Sequence, residues 1–282
     1  MKILVTGGVG FIGVNLIKKL INEKHEVVCL DDYSTGTKSN HVEGCTYLDL
    51  DIESISDLSH KDYDVCFHLA GLSRIQPSFE NPTETFRVNL RGTEAVCEWA
   101  RLNNVKVVYA GSSSKWHDPY QSPYAMYKHL GEEVCKMYRK TYSLNVDIAR
   151  FYNVYGPSEI VDGPWAAVIG IWRRQVRDGE SITIVGDGEQ RRDFTHVDDI
   201  CEGLIKISEY SDFHKDAWEL GTGTNYSMNE VYNMFNNRFG VNCNYIPEQE
   251  GNYRETLRKN NDTLLLLGWE PKDRLNEYIK KL

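Results

Sequence analysis

No Cys-x-x-Cys pair occurs in this sequence, and none of its eight histidines has His-Glu-x-x-His spacing. Zinc ribbons, thioredoxin-like redox sites and helical zinc motifs are therefore excluded, and no metal is implied. The seven cysteines (29, 45, 66, 97, 135, 201 and 243) are odd in number and scattered, the pattern of free thiols in a reducing cytoplasm. Long apolar runs are also missing. The longest leucine run, Leu264–Leu267, falls far short of the roughly 20 residues a spanning helix needs. Positive charge is in deficit, with 32 Lys+Arg against 41 Asp+Glu and a net charge of −9. A nucleic-acid binder or a membrane-surface binder would show a basic patch instead. The opening residues, Met1 to Gly8, lack the layout of a signal peptide. What is present is 282 residues, 41% of them hydrophobic, enough for one large domain or two modest ones.

The first half alternates short β-branched runs with longer amphipathic segments. Lys2–Val5, Glu26–Leu30, Thr46–Leu48, Val65–Leu69, Lys106–Ala110 and Asn145–Arg150 read as strands. Phe11–Asn22, Pro82–Leu102 and Pro123–Tyr142 read as helices. Such alternation predicts an α/β fold, a doubly wound parallel sheet whose ligands sit at the carboxyl ends of the strands. After about residue 153 the rhythm loosens. Trp165–Arg177, Val197–Glu209 and Met228–Phe239 read as helices and Ser181–Val185 as a strand. The expectation is a dinucleotide-binding domain over 1–152 and a smaller α+β substrate lobe over 153–282. Some late segments are expected to pack back on the first domain.

Three motifs carry chemistry. Gly7-Gly8-Val9-Gly10-Phe11-Ile12-Gly13 follows the first strand and opens the first helix, the context a dinucleotide's pyrophosphate requires. Asp31 lies 18 residues after Gly13, at the end of the second strand, where a carboxylate binds the adenosine ribose and repels a 2′-phosphate. NAD rather than NADP is therefore expected, with Asp32 beside the ribose and Asp51-Ile52 flanking the adenine. Tyr124 and Lys128 are four apart on a helix started by Ser122-Pro123, so they share a face. A nearby ammonium lowers a phenol's pKa and makes it usable as a general base. Gly111-Ser112-Ser113-Ser114, after the fifth strand, lies at the same sheet edge and offers hydroxyls.

These motifs resemble those of the extended short-chain dehydrogenases/reductases, specifically the NAD-dependent nucleotide-sugar epimerase/dehydratase group. The resemblance extends through Phe67–Gly71, Asn89-Leu90-Arg91-Gly92-Thr93, Arg150–Pro157, Gly186–Phe194 and Leu267–Pro271, nearly the whole chain. It implies a Rossmann fold, with Tyr124 as catalytic base, Lys128 tuning it and binding the nicotinamide ribose, and Ser112 as the catalytic hydroxyl. It places Leu69, Ala70, Gly71 and Asn89 at the cofactor, Asn89 supporting Lys128. It places Ser73, Ser113, Ser114, Asn153 and Arg192 at a nucleotide-diphosphate sugar, most simply a UDP-sugar.

The serine run bears on the reaction. Family 4,6-dehydratases carry an acid and a base after the catalytic hydroxyl, and decarboxylases keep a Glu there. Ser113 and Ser114 can perform neither role, which favours 4-epimerisation through a transient 4-keto sugar. A 4,6- or 5,6-dehydratase that recruits Lys115, His117 or another cleft residue is the alternative, and a non-catalytic NAD-binding protein a third reading. Lys115-Trp116-His117 replaces the family's Val-Tyr-Gly, and the loop before Tyr124 is short. Gln249 stands where relatives have Arg, with Arg254 as the candidate substitute. The two long helices resemble the pair through which the family forms homodimers, with Met126, Leu130, Val134 and Met137 at helical spacing. Packing of those four residues on the chain's own sheet is the competing reading.

Overall fold

The fold is given by a computed structural model that describes residues 1–58 and 62–282. β-Branched and apolar residues with no solvent face form β1 (Lys2–Thr6). A glycine turn then enters α1 (Phe11–Asn22), followed by β2 (Glu26–Asp31), β3 (Cys45–Asp49) and β4 (Val65–His68). Two short helices, α2 (Ile75–Glu80) and α3 (Pro82–Phe86), precede α4 (Gly92–Asn103). Next come β5 (Lys106–Ser112), α5 (Pro123–Tyr142), β6 (Val146–Phe151) and β7 (Asn153–Tyr155). The rest comprises α6 (Val168–Arg177), β8 (Ile182–Val185), β9 (Arg191–His196), α7 (Val197–Glu209), β10 (Trp218–Leu220), β11 (Asn225–Ser227), α8 (Met228–Phe239), β12 (Cys243–Ile246), α9 (Asp262–Leu267) and α10 (Leu275–Lys281).

Seven strands form one sheet in the order β10-β6-β5-β4-β1-β2-β3. Every pairing in it is parallel. The chain reverses direction across the sheet after β3, returning to β4 on the other side of β1. That places a switch point, and hence a crevice, at the carboxyl ends of β1 and β4. Alternate strand residues serve opposite faces. Leu4, Val28, Cys66, Val107 and Ile148 pack under α4 and α5, while Ile3, Val5, Phe67 and Val108 pack against α1 and α7. This is the doubly wound α/β fold expected.

Two smaller sheets, β11-β9-β7 and the β12-β8 pair, surround a separate core of Trp172, Ile182, Ile184, Phe194 and Phe235. The chain does not stay in this region. α7 packs on α1's side of the large sheet, and β10 becomes its edge strand beside β6. No helix among the described residues is long and apolar enough to cross a membrane.

Two expected helices are altered. Pro82–Leu102 is not one helix, because a π-turn over Arg87–Arg91 separates α3 from α4. Asn89 turns its amide out to clamp Leu72, accepting from its N–H at 2.7 Å and donating to its carbonyl at 2.9 Å. Trp165–Arg177 begins only at Val168. Gly163 takes φ +82°, and the Trp165 carbonyl accepts a bond from Arg74 Nε at 2.9 Å, so Gly163, Pro164, Ala166 and Ala167 line a cavity rather than wind into α6.

Candidate active site

A cavity of about 670 Å³ runs along the carboxyl ends of the strands, between the large sheet and the 153–256 region. At one end lie Gly7, Gly10, Phe11, Ile12 and Gly13, with Asp31, Asp32, Ile52, Leu69, Ala70 and Gly71 beside them. Gly7 has φ +71°, and a Cβ on Gly13 would collide with the Gly7 carbonyl and Gly8 Cα. The turn therefore packs helix against strand as tightly as backbone allows. Gly10, at the N-cap of α1, supplies no side-chain cap, and the first turn holds no acid. The first-turn amides and the dipole are left facing the cavity as an anion site.

Asp31 accepts the Val9 and Tyr33 N–H groups at 3.0 and 2.9 Å, which fixes its carboxylate at the cavity wall. Burial pushes its pKa up, and those two amide bonds work against the rise. Asp32 accepts from the Ser34 N–H at 3.0 Å. Asp51 lies outside the lining: it caps the 3₁₀ turn at Glu53 and pairs with Arg87 at 2.8 Å. Asn89 is likewise one layer behind, 1% exposed, while the Gly71 it backs lies in the wall. The glycine turn, open helix terminus and ribose-side carboxylates together fit a dinucleotide.

The reactive groups stand midway along the cavity. Tyr124 Oη donates to Ser112 Oγ at 3.2 Å, and Ser112 Oγ also accepts the Ser114 N–H at 3.1 Å. Lys128 Nζ donates to the Ala110 carbonyl at 2.9 Å and lies 5.1 Å from the centre of the Tyr109 ring. Burial lowers the Lys128 pKa to about 8, against the pull of Glu132. Burial raises Tyr124, while the Ser112 bond and the charge of Arg74 act to lower it. The cation acting on Tyr124 is thus Arg74, whereas the Lys128 ammonium is turned to the end of β5.

Ser73, Ser113, Asn153 and Arg192 line the other end, together with Glu159, Gln249, Tyr253 and Thr256. Asn153 Nδ2 bonds Thr256 Oγ1 at 2.9 Å. Among the described residues Arg192 donates only to its neighbour's carbonyl, and burial pulls its pKa down to about 10, opposed by Tyr253. Ser114 and Arg254 lie outside the lining. Ser114 Oγ is buried without a partner among the described residues. Arg254, largely exposed, pairs with Asp187 at 2.8 Å and so does not replace the missing cation at Gln249. Lys115 points away to Glu133 at 2.8 Å, and Trp116 Nε1 donates to Glu219 at 2.7 Å. His117 stacks on Tyr253, ring centres 3.8 Å apart, behind the cavity wall. Arg74, Glu159 and Tyr253 were not anticipated. The only signal for Arg74 was a cation a few residues past β4, at the ligand-binding edge.

The chain is 30% identical over 307 residues to the UDP-glucose 4-epimerase of Mycolicibacterium smegmatis, covering 100% of this chain and 97% of that protein. The crystal structure of UDP-glucose 4-epimerase with UDP-glucose from Thermotoga maritima superposes with a TM-score of 0.91 at 27% identity, covering 99% and 96% of the two chains. UDP-glucuronic acid 4-epimerase from Bacillus cereus, in complex with UDP-glucuronic acid and NAD, gives 0.88 at 25% identity over 99% and 97%. The model of the NAD dependent epimerase/dehydratase family matches residues 3–221, and this chain belongs to that family.

Proposed function

We propose that the protein inverts C4 of a UDP-sugar. The observation that carries this reading is the Tyr124–Ser112 hydroxyl pair in the cavity wall, followed in the chain by Ser113 and Ser114, which can serve as neither the acid nor the base of a dehydratase. NAD, the family's cofactor, supplies the acceptor and donor of the C4 hydride when bound.

Tyr124 Oη takes the proton of the C4 hydroxyl and gives one back to the C4 oxygen once the carbon is inverted. A positioned base of this kind contributes roughly 10²–10⁴ in rate. Ser112 Oγ, held by the Ser114 N–H, bonds the reacting oxygen. Lys128 holds the nicotinamide ribose, and the first-turn amides of α1 hold the pyrophosphate. Gly7, Gly10, Phe11, Ile12, Gly13, Asp31, Asp32, Ile52, Leu69, Ala70 and Gly71 form the remaining cofactor wall. Ser73, Ser113, Asn153 and Arg192 face the sugar and its diphosphate. Asn89 acts from behind by fixing the Leu72 backbone. Lys115 and His117 lie outside the cavity lining, which disfavours a dehydratase that would recruit either of them.

On this reading residues 1–152 carry the cofactor and 153–282 mainly the sugar nucleotide. A homodimer through α4 and α5 is supported by the partly open face of Met126 and Leu130 and by exposed Met137, whereas Val134, the fourth residue of the stripe, packs on the chain's own core. Seven free thiols suit a cytoplasmic enzyme.

The test is to incubate the NAD-loaded protein with UDP-hexoses and read the product by NMR. A C4 epimer forms without net accumulation of NADH, and Tyr124→Phe lowers kcat at least about 100-fold while the UDP-sugar still binds. Loss of water from the sugar, or full activity in Tyr124→Phe, would refute the proposal.

A further inference from the structure

Tyr253 belongs to the later part of the chain, yet it lies in the cavity wall with Ser112, Ser113 and Tyr124. The strap that carries it, residues 249–253, runs from β12 to the bridge of Glu255 with Arg191. It is fastened to the first half of the chain at three points. Gln76 Nε2 donates to the Glu250 carbonyl at 2.8 Å. Gly251, at φ +76°, packs so closely that a Cβ there would lie 2.9 Å from Ile75 Cγ2 and 3.1 Å from the Gln121 carbonyl oxygen. The Tyr253 ring stacks on His117, centres 3.8 Å apart and planes 6° apart. His117, the short turn before Tyr124 and Gln249 are three places where the sequence departs from the family's pattern, and this strap joins them.

The hydroxyl of that ring has a peculiar position. Tyr253 is 8% exposed, and its Oη is buried without a hydrogen bond among the described residues, as is Ser114 Oγ. Leaving a buried hydroxyl unbonded costs roughly 1–3 kcal/mol. Burial raises the Tyr253 pKa and Tyr124 adds to the rise, while the hydroxyls of Ser122 and Ser114 and the charge of Arg192 oppose it. The phenol therefore stands near both serines and near the base, and it keeps its proton.

Those two serines are the supports of the reactive groups. The Ser114 N–H, in the one-turn 3₁₀ segment Ser113–Trp116, donates to Ser112 Oγ at 3.1 Å. Ser122 Oγ caps the Ala125 N–H at 3.1 Å, at the start of the helix whose first turn carries Tyr124. We propose that Tyr253 is a positioning residue for the Ser112–Tyr124 pair, its hydroxyl donating to Ser114 Oγ and accepting from Ser122 Oγ. This rests on the reading above for the roles of Ser112 and Tyr124. A phenol can donate one bond and accept others, and Ser122 Oγ can still accept from Ala125 while donating its own proton. Tyr253 touches no reacting atom. It acts through the 113–116 turn on one side and the helix cap on the other. Gln249 and Asn252 of the same strap line the sugar end of the cavity, so one segment aligns the ligand wall with the base.

A double-mutant cycle between Tyr253→Phe and Ser114→Ala in the NAD-loaded protein tests this. Tyr253→Phe keeps the ring on His117 and removes only the hydroxyl. With a UDP-hexose, each single variant is expected to lower kcat about tenfold and to change KM by less than about twofold. The double variant should lose about as much as either single one, because both remove the same bond. A Tyr253→Phe kcat within about twofold of the wild type would overturn the proposal, and so would losses that multiply in the double variant. A raised KM at unchanged kcat would overturn it too, since that marks a ligand contact. A lowered urea midpoint at unchanged kcat would mark a brace for the strap and nothing more. The cycle read on urea midpoints needs no substrate: strictly additive losses there mean that no bond joins the two hydroxyls. Coupled losses of kcat in a reaction that releases water would uphold Tyr253 and defeat the epimerase reading. C4 inversion without coupling does the reverse.

Discussion

His68 ends β4, one step before the loop that borders the cofactor wall, and it is 1% exposed. Its ring lies between Thr6 Oγ1 at 2.8 Å and Thr93 Oγ1 at 3.2 Å, and Thr6 Oγ1 in turn accepts the Ala70 N–H at 3.2 Å. Burial, aided by the charge of Lys128, lowers its pKa to about 3, against about 6.5 in an unfolded chain. The folded value is depressed, so the unfolded state binds the extra proton between these limits. The contribution of His68 is complete above pH 6.5 and is lost as pH falls towards 3. Melting temperatures between pH 7.5 and 4.5 should therefore drop, and the slope should be shallower in His68→Gln. An equal slope in the variant would show that other groups carry the acid sensitivity.

At the scale of elements, the start of α5 decides where the base stands. Ser122 Oγ caps the Ala125 N–H at 3.1 Å and Pro123 takes the first helical position, which places Tyr124 in the first turn opposite Ser112. Ser122→Ala is expected to cost about 1 kcal/mol of stability, measurable in urea, and to lower kcat more than UDP-sugar affinity as the first turn frays. Unchanged kcat would mean that the Ser78 contact alone holds Tyr124. This helix was legible in sequence because its cap, its apolar spacing and its end are local signals. The same holds for Val197–Glu209 and for Met228–Phe239, which begins in a Ser227–Glu230 capping box. The π-turn at Arg87–Arg91 was not legible, since its cause is the clamp of Asn89 on Leu72, 17 residues away. Short strands such as β7, β10 and β11 were missed for a related reason. Three residues carry little periodicity, and their partners come from distant segments.

Across the whole molecule, one buried network ties the large sheet to the later chain. Arg150, fully buried on β6, pairs with Glu132 of α5 at 2.7 Å and with Asp216 before β10 at 2.7 Å, and lies 3.6 Å from Glu219 of β10. Arg150→Met leaves two buried glutamates without their cation and should cost roughly 3–5 kcal/mol, read as a lowered urea midpoint. A change below about 1 kcal/mol would mean that the Lys136–Asp216 pair and the bonds Tyr152 and Trp116 donate to Glu219 suffice. The cofactor end of the cavity was legible because glycines and Asp31 lie in one short stretch. The sugar end was legible only in part: Ser73, Ser113, Asn153 and Arg192 were named through the family resemblance, whereas Arg74, Glu159 and Tyr253 come from three separate segments that no motif joins. The net charge of −9 likewise says nothing of a cavity whose chemistry rests on a few buried cations.

The central claim is that one hydride leaves C4 and returns to the same carbon from the other side. Turnover of a UDP-sugar carrying deuterium at C4, in ordinary water with the NAD-loaded protein, tests it most directly. The account predicts an inverted product that keeps its deuterium at C4 and has gained no solvent hydrogen at C5. Loss of the label from C4, or exchange at C5 with departure of water, would contradict it.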